Sequence, residues 1–316
     1  QYLDHNYKGT IFRCPYILKQ MNKLQFIFIS AFLILLSTCI AFLDLDITNQ
    51  LKFSALFILL IGIPHGAIDH ILLRKEYKLK NSRFYSFYLG LICINIALWF
   101  IFPLLSLILF LIISAYHFGQ SQFSFISSDL IGKVLFMLWG LSIILGLIYY
   151  NLDDIILLDK LIDEFNISIS VSASIVLKYM TIATSFLSLA IIWYLFIRSK
   201  IDIERALIES ILLGLIHFAF FTLPIIIGFT LYFVLLHSLK VMFDEYRFLS
   251  VNMRSFSILK FIQMLAPFTL LSIAGCMILF GLTLTGFLSI SLAFLFLMLI
   301  SAITLPHSIV MEIFYR

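Results

Sequence analysis

About ten apolar stretches, each long enough to cross a lipid bilayer, follow one another in this chain with only short polar breaks, and that pattern excludes most folds. Inside hydrocarbon a backbone must satisfy its own N–H and C=O groups. A run of about 17–25 apolar residues therefore has one common solution, a spanning helix. We place the spans at 24–43, 51–73, 84–101, 103–122, 131–150, 174–197, 206–222, 224–243, 257–281 and 284–307. Joining neighbours at Pro103 or Leu223 lowers the number to nine or eight. The chain is 62% hydrophobic and only 12% charged, whereas a soluble domain carries about 25% charged residues. The expectation is an all-α integral membrane protein, a polytopic bundle of about ten helices.

Charge placement orients the bundle. With the N-terminus inside, every one of the 21 Lys and Arg residues except Lys52, Lys160 and Lys178 falls on the inner side. The outer side holds the acidic stretch Asp153, Asp154, Asp159, Asp163 and Glu164. Basic loops favour the cytoplasmic face, so both termini are expected there, in a multi-pass protein of the cell (inner) membrane. The net charge of +4 does not point to nucleic acid, because its basic residues sit in short loops between apolar runs. Cys14, Cys39, Cys93 and Cys276 lie far apart with no C-x-x-C pair, and read as small apolar fillers. Residues 1–23 form a cytoplasmic leader. Because no methionine precedes Met21, residues 1–20 are expected to be an extension upstream of the natural start, which intact mass from the native host would check. The run 24–43 is too long for a signal peptide and is expected to be retained.

Polar chemistry within the spans is concentrated in histidine. His65 and His70 lie in Pro64-His65-Gly66-Ala67-Ile68-Asp69-His70, His117 in Tyr116-His117-Phe118-Gly119-Gln120, His237 in Leu236-His237-Ser238 and His307 in Leu305-Pro306-His307. These five come from four helices and share the cytoplasmic half of the membrane. His117 lies roughly 8 Å from the inner end of its span at 1.5 Å per residue. His307 is expected to end the last span. His217 falls nearer the outer side as a packed polar residue, and His5 is in the leader. One histidine in a membrane helix is most often a hydrogen-bonding core residue. Four helices each delivering one to a common depth point instead to a metal site.

Local spacing suggests supporting roles. Asp69 follows His65 by four residues, so on a regular helix it could accept the far ring N–H of a metal-bound histidine. Gln120, one turn from His117, could do likewise. Pro64, Gly66 and Pro306 allow the backbone to bend beside the ligands. His70 lies well around the helix from His65. Asp244, Glu245 and Arg247 read as a solvated loop face, and the 34 phenylalanines chiefly as lipid-facing filler. A site of neutral nitrogens suits Fe(II) with positions open to dioxygen. There is no H-E-x-x-H, so zinc proteolysis lacks its base. The H-x4-H of membrane di-iron desaturases occurs at His65–His70 without the other histidine clusters those enzymes need. A histidine-lined transporter or proton-coupled carrier is the second reading, although only His217 continues polar groups to the outer face.

Three motifs taken in order, Pro64-His65-Gly66-Ala67-Ile68-Asp69, Tyr116-His117-Phe118-Gly119 and Tyr232-Phe233-Val234-Leu235-Leu236-His237-Ser238, resemble the Brp/Blh family of β-carotene 15,15'-dioxygenases. Leu305-Pro306-His307 with Glu312 is similar to that family's C-terminal end, and the resemblance runs from about residue 55 onward. It implies that 24–316 is one transmembrane catalytic domain. The implied enzyme uses Fe(II) and dioxygen to split β-carotene at its central double bond into two molecules of all-trans-retinal, and serves microbes that bear a retinal-binding rhodopsin. By position, His65, His117 and His237 correspond to iron ligands of the family. The family commonly has a further ligand histidine four residues after the last of these, where this chain has Val241. His307 is the first candidate to replace it and His70 the second, with Asp69, Gln120 and His70 as the residues expected behind the ligands.

Overall fold

The computed structural model describes residues 46–77, 81–159, 171–253 and 255–315, with positions 32, 34–36 and 39. The leader, His5, Cys14, most of the expected span 24–43 and the acidic residues Asp163 and Glu164 lie outside the described residues.

The described chain is helical throughout. α1 (Ile47–Phe57) passes through a π-helical turn (Ile58–Gly62) and a 3-10 turn (Pro64–Gly66) into α2 (Asp69–Tyr77). Then follow α3 (Asn81–Ile101), α4 (Pro103–Gln122), α5 (Leu130–Tyr150), the short α6 (Leu152–Asp159), α7 (Val171–Ile197) and α8 (Ile203–Thr222). α9 (Ile225–Leu231) runs through a second π segment (Tyr232–Ser238) into α10 (Leu239–Asn252), and α11 (Ile258–Leu284) and α12 (Leu292–Phe314) complete the bundle. Counting α1–α2 and α9–α10 as one span each, nine helices among the described residues are long and apolar enough to cross a membrane. The protein is a polytopic helical membrane bundle.

Local chemistry sets the boundaries. Carboxylates cap the starts of α1, α5 and α8: Asp46 accepts from the Asn49 N–H at 2.7 Å, Asp129 from Gly132 at 2.9 Å and Asp202 from Arg205 at 2.7 Å. The Gly132 N–H, then the Ser127 hydroxyl, hold the exposed Asp129 carboxyl below its ordinary range. Pro103 at the head of α4 and Pro224 at the cap of α9 keep apart the pairs of spans whose fusion was the open question.

Two expectations shift. The last helix begins at Leu292 rather than near residue 284, because the chain turns at Gly286, whose φ of +74° favours glycine. His307 therefore lies inside α12, roughly two turns before its end at Phe314, instead of ending it. The other correction concerns Asp244 and Glu245, which are buried within α10 and not on a solvated loop. With no Gly or Pro after Ser238 the helix simply continues, and Lys240 pairs with Asp244 at 3.0 Å one turn on. Many phenylalanines, Phe118, Phe123, Phe136, Phe220 and Phe233 among them, are also core residues and do not face lipid.

Cross-helix pairs define the directions. Gly119 meets Phe136 and Ala115 meets Gly140, so α4 and α5 run antiparallel. Tyr116 and Gln120 of α4 both reach Glu312, and His117 faces His307, so α4 and α12 run the same way. Gly62 packs on Phe233 and His65 on His237, which aligns α1–α2 with α9–α10. Phe118 lies against Phe233 and Ser121 reaches His237, which joins this pair to α4. Four co-directional spans thus surround the centre. Lys240 of α10 fastens two of them at the basic-loop end, where its Nζ donates to the Ser121 carbonyl near the end of α4, to Ser124 Oγ and to Asp244.

The α4–α5 approach depends on missing side chains. A Cβ on Gly119 would stand 1.9 Å from the Phe136 carbonyl oxygen, and one on Gly140 would stand 1.7 Å from that of Ala115. Such small-residue contacts are how membrane helices obtain close packing. Gly140→Ala is expected to force α4 and α5 apart and cost about 1–3 kcal/mol or more, seen as a lower thermal unfolding midpoint in detergent. Gly90→Ala, where an added Cβ meets nothing within 4 Å, is the control and should not lower it.

Candidate metal centre

Each of the four co-directional spans delivers one buried histidine to the same place. Ring centroids run around a closed cycle: His65 to His307 4.6 Å, His307 to His117 5.0 Å, His117 to His237 4.8 Å and His237 back to His65 5.3 Å. Successive rings stand nearly perpendicular, at 80° to 88°. One nitrogen from each of His65, His117 and His237 falls within a mutual 4.8 Å.

The backbone around the ring is irregular where it must be. His237 lies inside the second π segment, and His65 lies in the 3-10 turn just after the first. These departures from the α-helical period aim side chains in directions that a regular helix does not offer. Gly66 makes room as well, since a Cβ there would sit 3.3 Å from His307 Nδ1.

Hydrogen bonds outside the ring decide which nitrogen faces in. His65 Nδ1 donates to the Gly62 carbonyl, which can only accept. His307 Nδ1 donates to Asp69, 2.9 Å from Oδ1 and 3.0 Å from Oδ2, and Tyr88 donates to the same carboxylate at 2.9 Å. Ser121 gives its one hydroxyl hydrogen to the Phe118 carbonyl at 2.9 Å, so the 3.0 Å contact with His237 Nδ1 has histidine as donor. All three rings are thereby held with Nδ1 protonated and an Nε2 lone pair remaining. Nε2 of His237 and of His307, and both nitrogens of His117, are buried without a protein partner. These buried nitrogens have no hydrogen-bond partner, and lone pairs turned toward one another repel. A divalent cation is the partner that this donor set fits.

Of the residues expected behind the ligands, Asp69 does hold a ring histidine, but it holds His307. The break between the 3-10 turn and α2 removes the regular register that would have placed Asp69 beside His65. Gln120 reaches no histidine; its Nε2 donates to Glu312, as does the Tyr116 hydroxyl at 3.0 Å. His70 lies apart from the ring, against Phe268 and Tyr85 at ring distances of 4.5 and 6.2 Å. Val241 is fully buried in an apolar cluster with Leu72 and Met311. His217 lies in another cluster, with Nε2 2.9 Å from Ser142 Oγ and 3.2 Å from Ser185 Oγ. Ser121 and Tyr88 were not singled out from the sequence. Ser121 had a signal, lying one turn after His117, whereas nothing in the sequence pairs Tyr88 with Asp69.

A cavity opens on the ring. Apart from the four histidines its walls are chiefly Phe110, Phe229, Phe233, Ile300 and Ile303, with no charged residue among them. Phe233 also stacks on His237, with 5.6 Å between centroids and 22° between planes. The arrangement suits a metal that meets an apolar molecule away from water.

Comparison with known proteins agrees with this geometry. No curated protein and no solved structure matches the chain. Residues 56–315 match the family described as beta-carotene 15,15'-dioxygenase, a stretch that contains all four ring histidines. The chain belongs to the beta-carotene 15,15'-dioxygenase family.

Proposed function

We propose that the protein is an iron-dependent dioxygenase that cleaves the central double bond of β-carotene to give two molecules of all-trans-retinal. The observation that carries this reading is a ring of four buried histidines lining a largely apolar cavity, in a chain of this family. His65, His237 and His307 would hold the metal through Nε2, and His117 through whichever of its unpartnered nitrogens faces it. A bound iron would supply the activation of dioxygen.

The remaining tasks belong to the chain. Asp69, the Gly62 carbonyl and Ser121 hold three imidazoles in one tautomer and one orientation. Phe110, Phe229, Phe233, Ile300 and Ile303 receive a hydrocarbon that has nothing to hydrogen-bond, and keep water from it. In the overall reaction the carbon–carbon double bond breaks and each carbon takes one oxygen atom of dioxygen. Neither an external reductant nor a general acid is required. His307 takes the fourth position, which leaves Val241 free to be apolar. We place the protein in the cytoplasmic membrane, both termini inside, where β-carotene is dissolved beside it, and a retinal-binding rhodopsin is the natural consumer of the product. A proton-coupled carrier would need a chain of titratable groups continuing past the ring, where the cavity wall is chiefly Phe and Ile and carries no charge.

The direct test is expression in a bacterium that accumulates β-carotene, with retinal measured by chromatography. Loss of orange colour with retinal appearing is the expected result, and intact carotene above membrane-inserted protein would overturn the reading. His65→Ala and His117→Ala are each expected to purify with little or no iron and to form no retinal. Chelation should abolish turnover in the purified enzyme, and Fe(II) but not Zn(II) should restore it. Asp69→Asn keeps the shape but offers a poorer acceptor to His307. It is expected to weaken iron binding by about 10–100-fold, measured by chelator competition. Unchanged affinity would remove Asp69 from the centre.

A further inference from the structure

Three of the four ring histidines have an acceptor behind them, and His117 does not. His65 has the Gly62 carbonyl, His237 has Ser121 and His307 has Asp69. Both nitrogens of His117 are buried without a hydrogen-bond partner among the described residues. A neutral imidazole carries one N–H and one lone pair. When the lone pair goes to a metal, the N–H still needs an acceptor, because an unmet donor in a buried site is costly. Such an acceptor lies one turn along the same helix. Gln120 is 1% exposed, and its Oε1 is likewise buried without a partner. Residues three apart on a helix are neighbours, so the unmet acceptor and the unmet donor stand side by side on α4.

The direction of the Gln120 amide is set from its far side. Its Nε2 donates to Oε2 of Glu312, which is half-buried near the end of α12. A carboxylate offers acceptors only, so the amide NH2 faces Glu312 and the amide oxygen faces away. The Tyr116 hydroxyl donates to the same carboxylate oxygen at 3.0 Å, from the residue just before His117. The helix itself has no room to move, since the backbones of α4 and α5 already touch at Gly119 and Gly140. Only a turn of the His117 side chain can bring the two unmet groups together. We infer that Gln120 and Glu312 are positioning residues for His117. When the metal binds, the His117 N–H closes onto Gln120 Oε1, and Glu312 holds that amide in the accepting direction. The fourth ring thereby gains the outer hydrogen bond that the other three already possess. Three ligands are preset and the fourth closes last. This inference rests on the metal centre of the proposed function and adds two residues to it.

The test uses Co(II), whose visible absorption reports its ligands, added to the metal-free full-length protein in detergent. Affinity is read by chelator competition, and the surroundings of the ion by the position of its visible band. Gln120→Leu and Glu312→Leu are each expected to weaken Co(II) binding by about 10–100-fold and to shift the band. The double variant should bind no more weakly than the weaker single, because both changes cut one chain of contacts. Gln120→Glu combined with Glu312→Gln restores an acceptor for His117 and a donor opposite it, and should recover most of the loss. Ser301→Ala is the control for a polar tie between helices. Ser301 accepts from Trp99 Nε1 at 3.0 Å and donates to Asn95 at 3.1 Å, joining α12 to α3. That variant should lower the thermal unfolding midpoint and leave Co(II) affinity and band unchanged. Should Gln120→Leu fail to fold, Glu312→Leu and the exchanged pair decide. Wild-type affinity and band in the leucine variants, fully additive losses in the double variant, or an exchanged pair as weak as the singles would overturn the role of Gln120 and Glu312 and leave the metal centre standing. Wild-type protein that takes up no Co(II) would overturn the metal centre itself, and this role with it.

Discussion

Three fixed hydrogen bonds organise this protein: His65 to the Gly62 carbonyl, His237 to Ser121 and His307 to Asp69. Each occupies an Nδ1 hydrogen on an acceptor outside the ring, and each therefore leaves an Nε2 lone pair. The consequence is unusual for a membrane interior. Buried polar atoms are normally paired, and here several face one another with no protein donor between them. Such an arrangement is costly without a cation and strongly favourable with one, so the centre is preorganised for metal before any metal arrives.

Holding those bonds in register requires helices that do not slide. The glycine contacts between α4 and α5 bring two backbones together and fix the depth of His117. Tyr116 and Gln120 tie the same helix to Glu312 of α12, just beyond His307. On the same side, Lys240 joins α10 to α4 through the Ser121 carbonyl, on the very residue that orients His237. The polar network thus lies on one side of the ring and the largely apolar cavity on the other. The cavity wall beside the imidazoles is chiefly Phe and Ile, with Ser114 and Thr304 as its polar members and no charged residue.

Much of this was legible in the sequence. The spans follow from apolar run length, and the common depth of His65, His117 and His237 follows from counting residues along runs that cross in one direction. His307 was legible as a candidate but not its depth, because α12 continues about two turns beyond it to Phe314. Asp69 was recognisable as a carboxylate one turn from a histidine, yet its partner was misread. Four-residue spacing predicts a shared face only on a regular helix, and the chain there is π, then 3-10, then α. Asp244 and Glu245 looked like loop residues because they are charged; the absence of Gly or Pro after Ser238 allows α10 to continue, but only packing shows that they are buried.

What the sequence by itself determined is the architecture and the ingredients. Hydrocarbon forces every long apolar run into a helix, and imidazole is too costly there to be placed on four helices at one common depth without purpose. What only the tertiary structure decided is pairing. Which histidine takes Asp69, which nitrogens the outer hydrogen bonds occupy, and which aromatic residues line the cavity all depend on helix rotation and close approach. Those are set by contacts between residues as distant along the chain as Asp69 and His307, and no local pattern encodes them.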